Sequence, residues 1–288
     1  MNKITHIRSI AIGGSGTMGT GIAQVFATAG IHVKIFDINS TALEKAEKNI
    51  ISGLDRAIQK GKLTQENKEK LLSLISFTSD EKELKGDLIL EAIVEDLNAK
   101  QQFFLTVEKI NSPEVIFATN TSTIPVSQIA EGLKYPKRLL GMHFFNPAPL
   151  MKLVELISGE KTSPDILKTV GELAEKCGKE FVLVKDRPGF IVNRVARHYY
   201  LESLQLLGES ACDISGMDNL LVNAGFKMGP FRLMDLIGND VNYAVSASLY
   251  NSFNGEPRFK PNPIQQKMVE AGLLGIKTGK GFYEYTTK

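Results

Sequence analysis

One histidine and one carboxylate stand out between Gly141 and Ile157, in GMHFFNPAPLMKLVELI. His143 closes an apolar run of Leu139, Leu140 and Met142, which places it at the tip of a strand. Asn146-Pro147-Ala148-Pro149 then turns the chain, because proline fixes φ and has no N–H to give a ladder. Leu153 to Ile157 reads as a returning strand with Glu155 in its middle. A carboxylate between Val154 and Leu156 is costly to bury without a partner. A strand-turn-strand path brings it back against His143, and the pair then has the form of a general base held by an acid. The alternative is that Glu155 points to solvent from the other face of its strand, beside Lys152.

A second group lies near the N-terminus. Ile7 to Ile12 alternates polar and apolar residues as a strand does, and ends in a glycine turn. Gly14, Ser15, Gly16, Thr17, Met18 and Gly19 make up that turn and open a helix, Thr17 to Ala29, which stops at Gly30. His32 to Phe36 is the next strand, closed by Asp37, 18 residues beyond Gly19. Glycines between strand and helix, followed by an acid at that distance, match the dinucleotide fingerprint. The glycines let backbone approach a pyrophosphate whose charge rests on the helix N-terminus. The acid accepts a hydrogen bond from the adenosine ribose. Asp37 also repels a 2′-phosphate, and Ile38-Asn39-Ser40-Thr41 holds no arginine to receive one, which favours NAD over NADP. The alternative is a tight turn that only packs helix on strand.

The elements that position these groups follow in order. Ala42 to Lys60 reads as a long helix, with Lys45, Lys48, Arg56 and Lys60 near one another by three-to-four spacing. Such a stripe is either a solvated face or a landing strip for a phosphate-bearing ligand. A shorter helix spans Glu66 to Leu74. Asp87 to Val94 is apolar apart from Glu91, as in a strand buried on both faces. Glu95 and Lys100 flank the start of the next helix. Val115 to Thr119 is a strand leading to Asn120-Thr121-Ser122. Ser122 stands at a strand end, where open α/β sheets contact ligands, or else caps the turn before Pro125. A helix from Pro164 to Cys177 and a strand from Phe181 to Val184 complete an alternating pattern, which predicts a doubly wound, mostly parallel sheet.

After Lys185 the texture changes. Asp186-Arg187-Pro188-Gly189 is a linker signal, and only helix patterns follow: Phe190 to Leu207, Ile214 to Ala224, Phe231 to Tyr250 and a last helix to Ala271. The expected division is residues 1–185, an α/β domain, and 186–288, an all-α domain. So much apolar helix surface in a small unit implies packing against the first domain or another copy of the chain.

The chain has 288 residues, enough for one large or two ordinary domains. Hydrophobic residues at 43% and charged residues at 23% are ordinary for a soluble globular protein. The net charge of +2 is not massed in one block, so nothing asks for nucleic acid or an acidic membrane surface. Cys177 and Cys212 have no metal-ligand spacing and suit a reducing, cytoplasmic compartment, with no metal expected. MNKITHIRSIAIGG lacks a signal-peptide core, and Glu91 breaks the longest apolar stretch, so no membrane span is expected.

From about Ile10 to Tyr285 the sequence resembles the L-3-hydroxyacyl-CoA dehydrogenase family, most like its stand-alone bacterial 3-hydroxybutyryl-CoA members. GTMGTGIAQVFATAG, EAIVEDLNAK, NTS, GMHFFNPAPLMKLVELI, DRPGFIVNR, MGPF and KTGKGFY carry the resemblance, in that order. It implies a Rossmann-type NAD domain and a helical domain through which the chain forms a homodimer. It implies an acyl-CoA substrate, His143 as the general base for the hydroxyl proton, and Glu155 holding that histidine. Ser122 and Asn193 match positions near the substrate carbonyl and the histidine. Glu95, Lys100, Asn146 and Lys277 match positions around the dinucleotide, and Lys60 a coenzyme A contact. His6, His32 and His198 are then structural. There are departures: Gly13 stands where the family usually has an apolar residue, Ser15 where it has alanine, Lys227 where it has proline, Arg232 where it has glutamate and Asn239 where it has leucine. A relative acting on a free hydroxy acid, of the gulonate type, and a non-catalytic NAD-binding protein are the alternatives.

Overall fold

A computed structural model describes residues 7–285, so His6 lies outside the described residues. The chain divides into two compact units, Met1–Arg187 and Pro188–Lys288.

The first unit alternates strands and helices: β1 (Ser9–Gly13), α1 (Thr17–Thr28), β2 (His32–Phe36), α2 (Ser40–Gln59), α3 (Gln65–Ser73), β3 (Ile75–Thr78), β4 (Leu88–Glu91), α4 (Leu97–Ile110), β5 (Ile116–Thr119), α5 (Val126–Ile129), β6 (Leu139–Phe144), β7 (Leu153–Ser158), α6 (Pro164–Lys176) and β8 (Glu180–Lys185). They form one eight-stranded sheet in the order β3-β2-β1-β4-β5-β6-β7-β8. The first six strands are parallel, β7 runs antiparallel to β6, and β8 is parallel to β7. The order of the first six is that of a dinucleotide-binding sheet, in which the sequence of strand addition reverses between β1 and β4 while the strands stay parallel. All four residues of β4 and of β5 are buried, which is why both read as continuous apolar runs. α2 buries Leu43, Ala46, Ile50 and Leu54, one stripe at helical spacing, and its lysines stay exposed. Ile10, Ile12, Ile35, Leu88, Leu90 and Ile116 share the main core, each buried aliphatic stabilising by about 1.5–3 kcal/mol.

β3 was not anticipated from the sequence. It is a four-residue edge strand on β2, with no fully buried residue, so its alternation carries no strong apolar signal.

The second unit is helical: α7 (Val192–Gly208), α8 (Ile214–Asn223), α9 (Pro230–Ile237), α10 (Asn239–Ser252) and α11 (Pro263–Glu270). Tyr200, Leu204, Met217, Phe231 and Met234 form its core. The segment from Phe231 to Tyr250, expected as one helix, is two. Gly238 takes φ +104, a left-handed conformation, and ends α9 where α10 begins. α7 begins at Val192 rather than Phe190, whose own φ is +50. Two buried aspartates organise this unit. Asp218 accepts from the Phe231 N–H at the head of α9, and Asp235 accepts from the Phe282 and Tyr283 N–H groups at 2.9 Å, which docks the C-terminal tail. Asn239 donates to the same Asp235 and to the Leu273 carbonyl, a buried polar role for the residue that departs from leucine. No helix among the described residues is long and apolar enough to cross a membrane.

Candidate active site

β6 and β7 place His143 directly opposite Glu155 in the antiparallel register. Directly opposed residues project to the same face, so the two side chains meet, with Nδ1 of His143 2.7 Å from Oε2 of Glu155. Glu155 is fully buried and His143 nearly so. The carboxylate accepts from Nδ1–H in the tautomer that leaves Nε2 as the basic nitrogen. Phe145 packs its ring against the imidazole, with centroids 4.6 Å apart. Asn120 Oδ1 accepts from the Phe144 N–H at 2.9 Å, tying the loop after β5 to the end of β6. Lys179, just before β8, donates to the carbonyls of Ala148 and Met151 at 2.7 and 2.8 Å, so the intervening turn is clamped from the neighbouring strand. No spacing or motif points to this lysine, because its partners are two backbone oxygens.

The glycine turn follows β1, at the carboxyl end of the parallel strands where His143 also lies. Gly14 has φ +103, and a Cβ on it would strike the Ala92 carbonyl. A Cβ on Gly19 would collide with the Gly14 carbonyl, so the third glycine lets helix pack on turn. Gly16 has open space above it and caps α1 with no side-chain hydrogen bond. Thr17 is exposed and Met18 half-buried beside it. The Phe103 ring lies over Gly13, in the space its missing side chain would need. Open glycine backbone at an uncapped helix N-terminus suits a pyrophosphate. Asp37, beyond β2, accepts from the Ser15 N–H and hydroxyl and from the Asn39 N–H. Burial pushes its carboxyl up, but these hydrogen bonds outweigh it and hold it below the usual carboxylate value. A charged acceptor at this position fits the ribose of NAD.

Between these two groups, Glu95 organises the loop after β5. Its Oε1 accepts from the Thr121 hydroxyl at 2.7 Å and from the N–H groups of Ser122 and Thr123 at 2.9 and 3.1 Å. The Ser122 hydroxyl donates to the same oxygen at 3.3 Å. Its Oε2 lies 3.1 Å from Lys100 Nζ. Burial raises the Glu95 carboxyl, but the Lys100 charge and the Thr121 and Ser122 hydrogen bonds more than reverse that. Lys100 is itself fully buried, with Nζ 2.6 Å from Oε1 of the equally buried Glu91. Glu91 also accepts from the Thr119 hydroxyl at 2.6 Å and the Ile93 N–H at 2.8 Å. Burial nevertheless drives its carboxyl upward against those partners. Lys100 thus presents no ammonium to solvent and reaches the loop only through Glu95. In the sequence Glu91 shows only as a charge interrupting an apolar strand. Its partner lies nine residues on, across a loop whose path spacing cannot reveal.

Asn146 is exposed in the turn after β6. Lys60 is exposed at the C-terminal cap of α2. Asn193 is half-buried in the first turn of α7. Lys277 is exposed, with Nζ 2.6 Å from both carboxylate oxygens of Asp240. His32 and His198 are exposed, the latter stacked near Phe259.

Residues 9–187 match the model of the 3-hydroxyacyl-CoA dehydrogenase NAD binding domain, and residues 189–285 that of the C-terminal domain. A 3-hydroxyadipyl-CoA dehydrogenase of Escherichia coli strain K12 is 43% identical over 97% of the chain, which spans 59% of that longer protein. A probable 3-hydroxybutyryl-CoA dehydrogenase of Bacillus subtilis is 38% identical, with 98% of this chain and 99% of that protein covered. Among solved structures, an (S)-3-hydroxybutyryl-CoA dehydrogenase from Ralstonia eutropha superposes with TM-score 0.92 at 38% identity, covering 98% of this chain and 100% of that one.

Proposed function

The chain belongs to the 3-hydroxyacyl-CoA dehydrogenase family, and from that premise we propose that it oxidises short-chain (S)-3-hydroxyacyl-CoA to 3-ketoacyl-CoA with NAD, and catalyses the reverse. The observation that carries this reading is the buried His143–Glu155 pair, 2.7 Å apart, with His143 near the carboxyl end of β6 and the glycine turn at the carboxyl end of the parallel strand β1. In the oxidation direction Nε2 of His143 takes the substrate hydroxyl proton, and the Glu155 carboxylate stabilises the imidazolium that forms. In reduction the same nitrogen returns the proton to the carbonyl oxygen. When bound, NAD supplies the hydride acceptor at the carbon that bore the hydroxyl. Glu155 also fixes the ring's tautomer and orientation, so the proton moves without a search over conformations.

The turn from Gly14 to Gly19 holds the pyrophosphate and Asp37 the adenosine ribose. Glu95, Asn146 and Lys277 are assigned to the dinucleotide, with Lys100 acting through Glu95. Ser122 and Asn193 are assigned to the substrate, and Lys60 to the coenzyme A moiety. Two unpaired cysteines suit a cytoplasmic setting.

The test is a spectrophotometric assay of acetoacetyl-CoA and free acetoacetate, each with NADH and NADPH. The expected result is turnover of the thioester, with kcat/KM higher for NADH because Asp37 meets a 2′-phosphate with like charge. Equal rates on the free acid would replace the reading with a hydroxy-acid dehydrogenase, and an NADPH preference would overturn the assignment of Asp37.

The second unit is proposed to dimerise. It exposes Leu220, Phe226, Leu236 and Val241, each 45% exposed or more. Light scattering at micromolar protein should give twice the chain mass, and a stable monomer would rule the dimer out.

A further inference from the structure

Asp37 is expected to choose between the two nicotinamide cofactors, and its carboxylate is already committed to three donors. The Ser15 N–H and hydroxyl reach Oδ2 at 3.0 and 2.7 Å, and the Asn39 N–H reaches Oδ1 at 3.0 Å. Two of these are backbone groups that any residue would supply. The third is the Ser15 hydroxyl, held in the glycine turn by a residue only 6% exposed. It donates at an ordinary hydroxyl length to a charged oxygen, and such a bond is about twice as strong as a neutral pair.

We propose that Ser15 is a specificity-determining residue: its hydroxyl fixes the Asp37 carboxylate so that the site accepts a ribose diol and rejects a 2′-phosphate. The inference rests on the assignment of Asp37 to the adenosine ribose. A phosphate enters beside that carboxylate only if the side chain swings away or takes a proton. Either change costs the hydrogen bond to Oδ2. A ribose diol needs neither, because it donates to the carboxylate as it stands. The hydroxyl therefore opposes one cofactor and leaves the other untouched, which is the form that discrimination takes when it is built by exclusion.

The experiment measures kcat/KM for NADH and for NADPH, with acetoacetyl-CoA, in the full chain and in Ser15→Ala. The expected result is a fall of about tenfold in the NADH-to-NADPH ratio, the size of one charge-assisted hydrogen bond. The same substitution is then made in an Asp37→Asn background. There the charge is gone, so Ser15→Ala should leave the ratio within twofold of the single Asp37→Asn variant. A serine that only packs the turn would weaken both cofactors together, leaving the ratio unchanged, and that outcome overturns the proposal. An equal fall in both backgrounds overturns it as well. Failure of the underlying assignment looks different, since the parent protein would then prefer NADPH from the outset.

Discussion

His143→Gln should slow acetoacetyl-CoA reduction by about 10²–10⁴-fold, the usual worth of general acid–base catalysis, while the fold and NADH binding persist. The fold should survive because glutamine presents an amide N–H that can still donate to Glu155, so the fully buried carboxylate keeps a donor. Catalysis should fail because an amide neither takes nor returns a proton near neutral pH. Steady-state rates, NADH fluorescence titration and circular dichroism separate the two effects. Retention of more than half the parent rate would remove His143 from the chemistry. The companion change, Glu155→Gln, keeps shape and one acceptor but withdraws the charge that faces the imidazolium. A fall of at least tenfold in oxidation turnover is expected, with little change in NAD affinity.

The largest expected effect on stability is at Lys100. Replacing it with methionine leaves Glu91 fully buried without a cation and takes from Glu95 its ion-pair partner. Breaking a buried pair from one side costs about 3–5 kcal/mol, because the abandoned charge stays in low dielectric. Urea unfolding at neutral pH reads this directly. A loss below about 1 kcal/mol would mean the pair is not buried as described. The deficit has a pH signature. Burial already lifts the Glu91 carboxyl above its ordinary value of 4.5, and loss of Lys100 lifts it further. Below that ordinary value Glu91 is protonated in both folded and unfolded chains and contributes no penalty. As pH rises above it, the unfolded chain releases the proton first and both proteins lose stability, but the variant, whose folded carboxyl is lifted further, goes on losing it after the parent has stopped, so the Lys100→Met deficit grows toward neutrality. Adding Glu91→Gln should recover part of the loss, since position 91 then holds no unpaired buried charge.

How much of this was legible in the sequence depends on the range of each interaction. The glycine turn and Asp37 were readable because their signal is local, a strand, a tight turn and a helix in succession. The approach of Glu155 to His143 was readable as one of two options, since a short proline turn returns a strand beside the one it left, but nothing in the spacing selects the face. Glu91 was visible only as an interruption, because the lysine that explains it arrives by way of a loop and a helix. Lys179 gave no signal at all, as its partners are carbonyl oxygens that every residue carries. The break at Gly238 was hidden for the opposite reason: the helical pattern runs through it, and a single glycine inside such a pattern does not declare its φ.

The reversal of direction at β7 has a bearing on how this site tolerates insertions and deletions. The distance between His143 and Glu155 is set by the rungs of a ladder, not by the length of the chain that joins them. Residues added or removed at the exposed turn, around Pro149 and Leu150, leave those rungs where they are. A single residue lost between Leu153 and Glu155 shifts the strand by one position and sends the carboxylate to the opposite face. Gradual detuning by loop variation is therefore closed to this pair, and changes of chain length either pass unnoticed or switch it off.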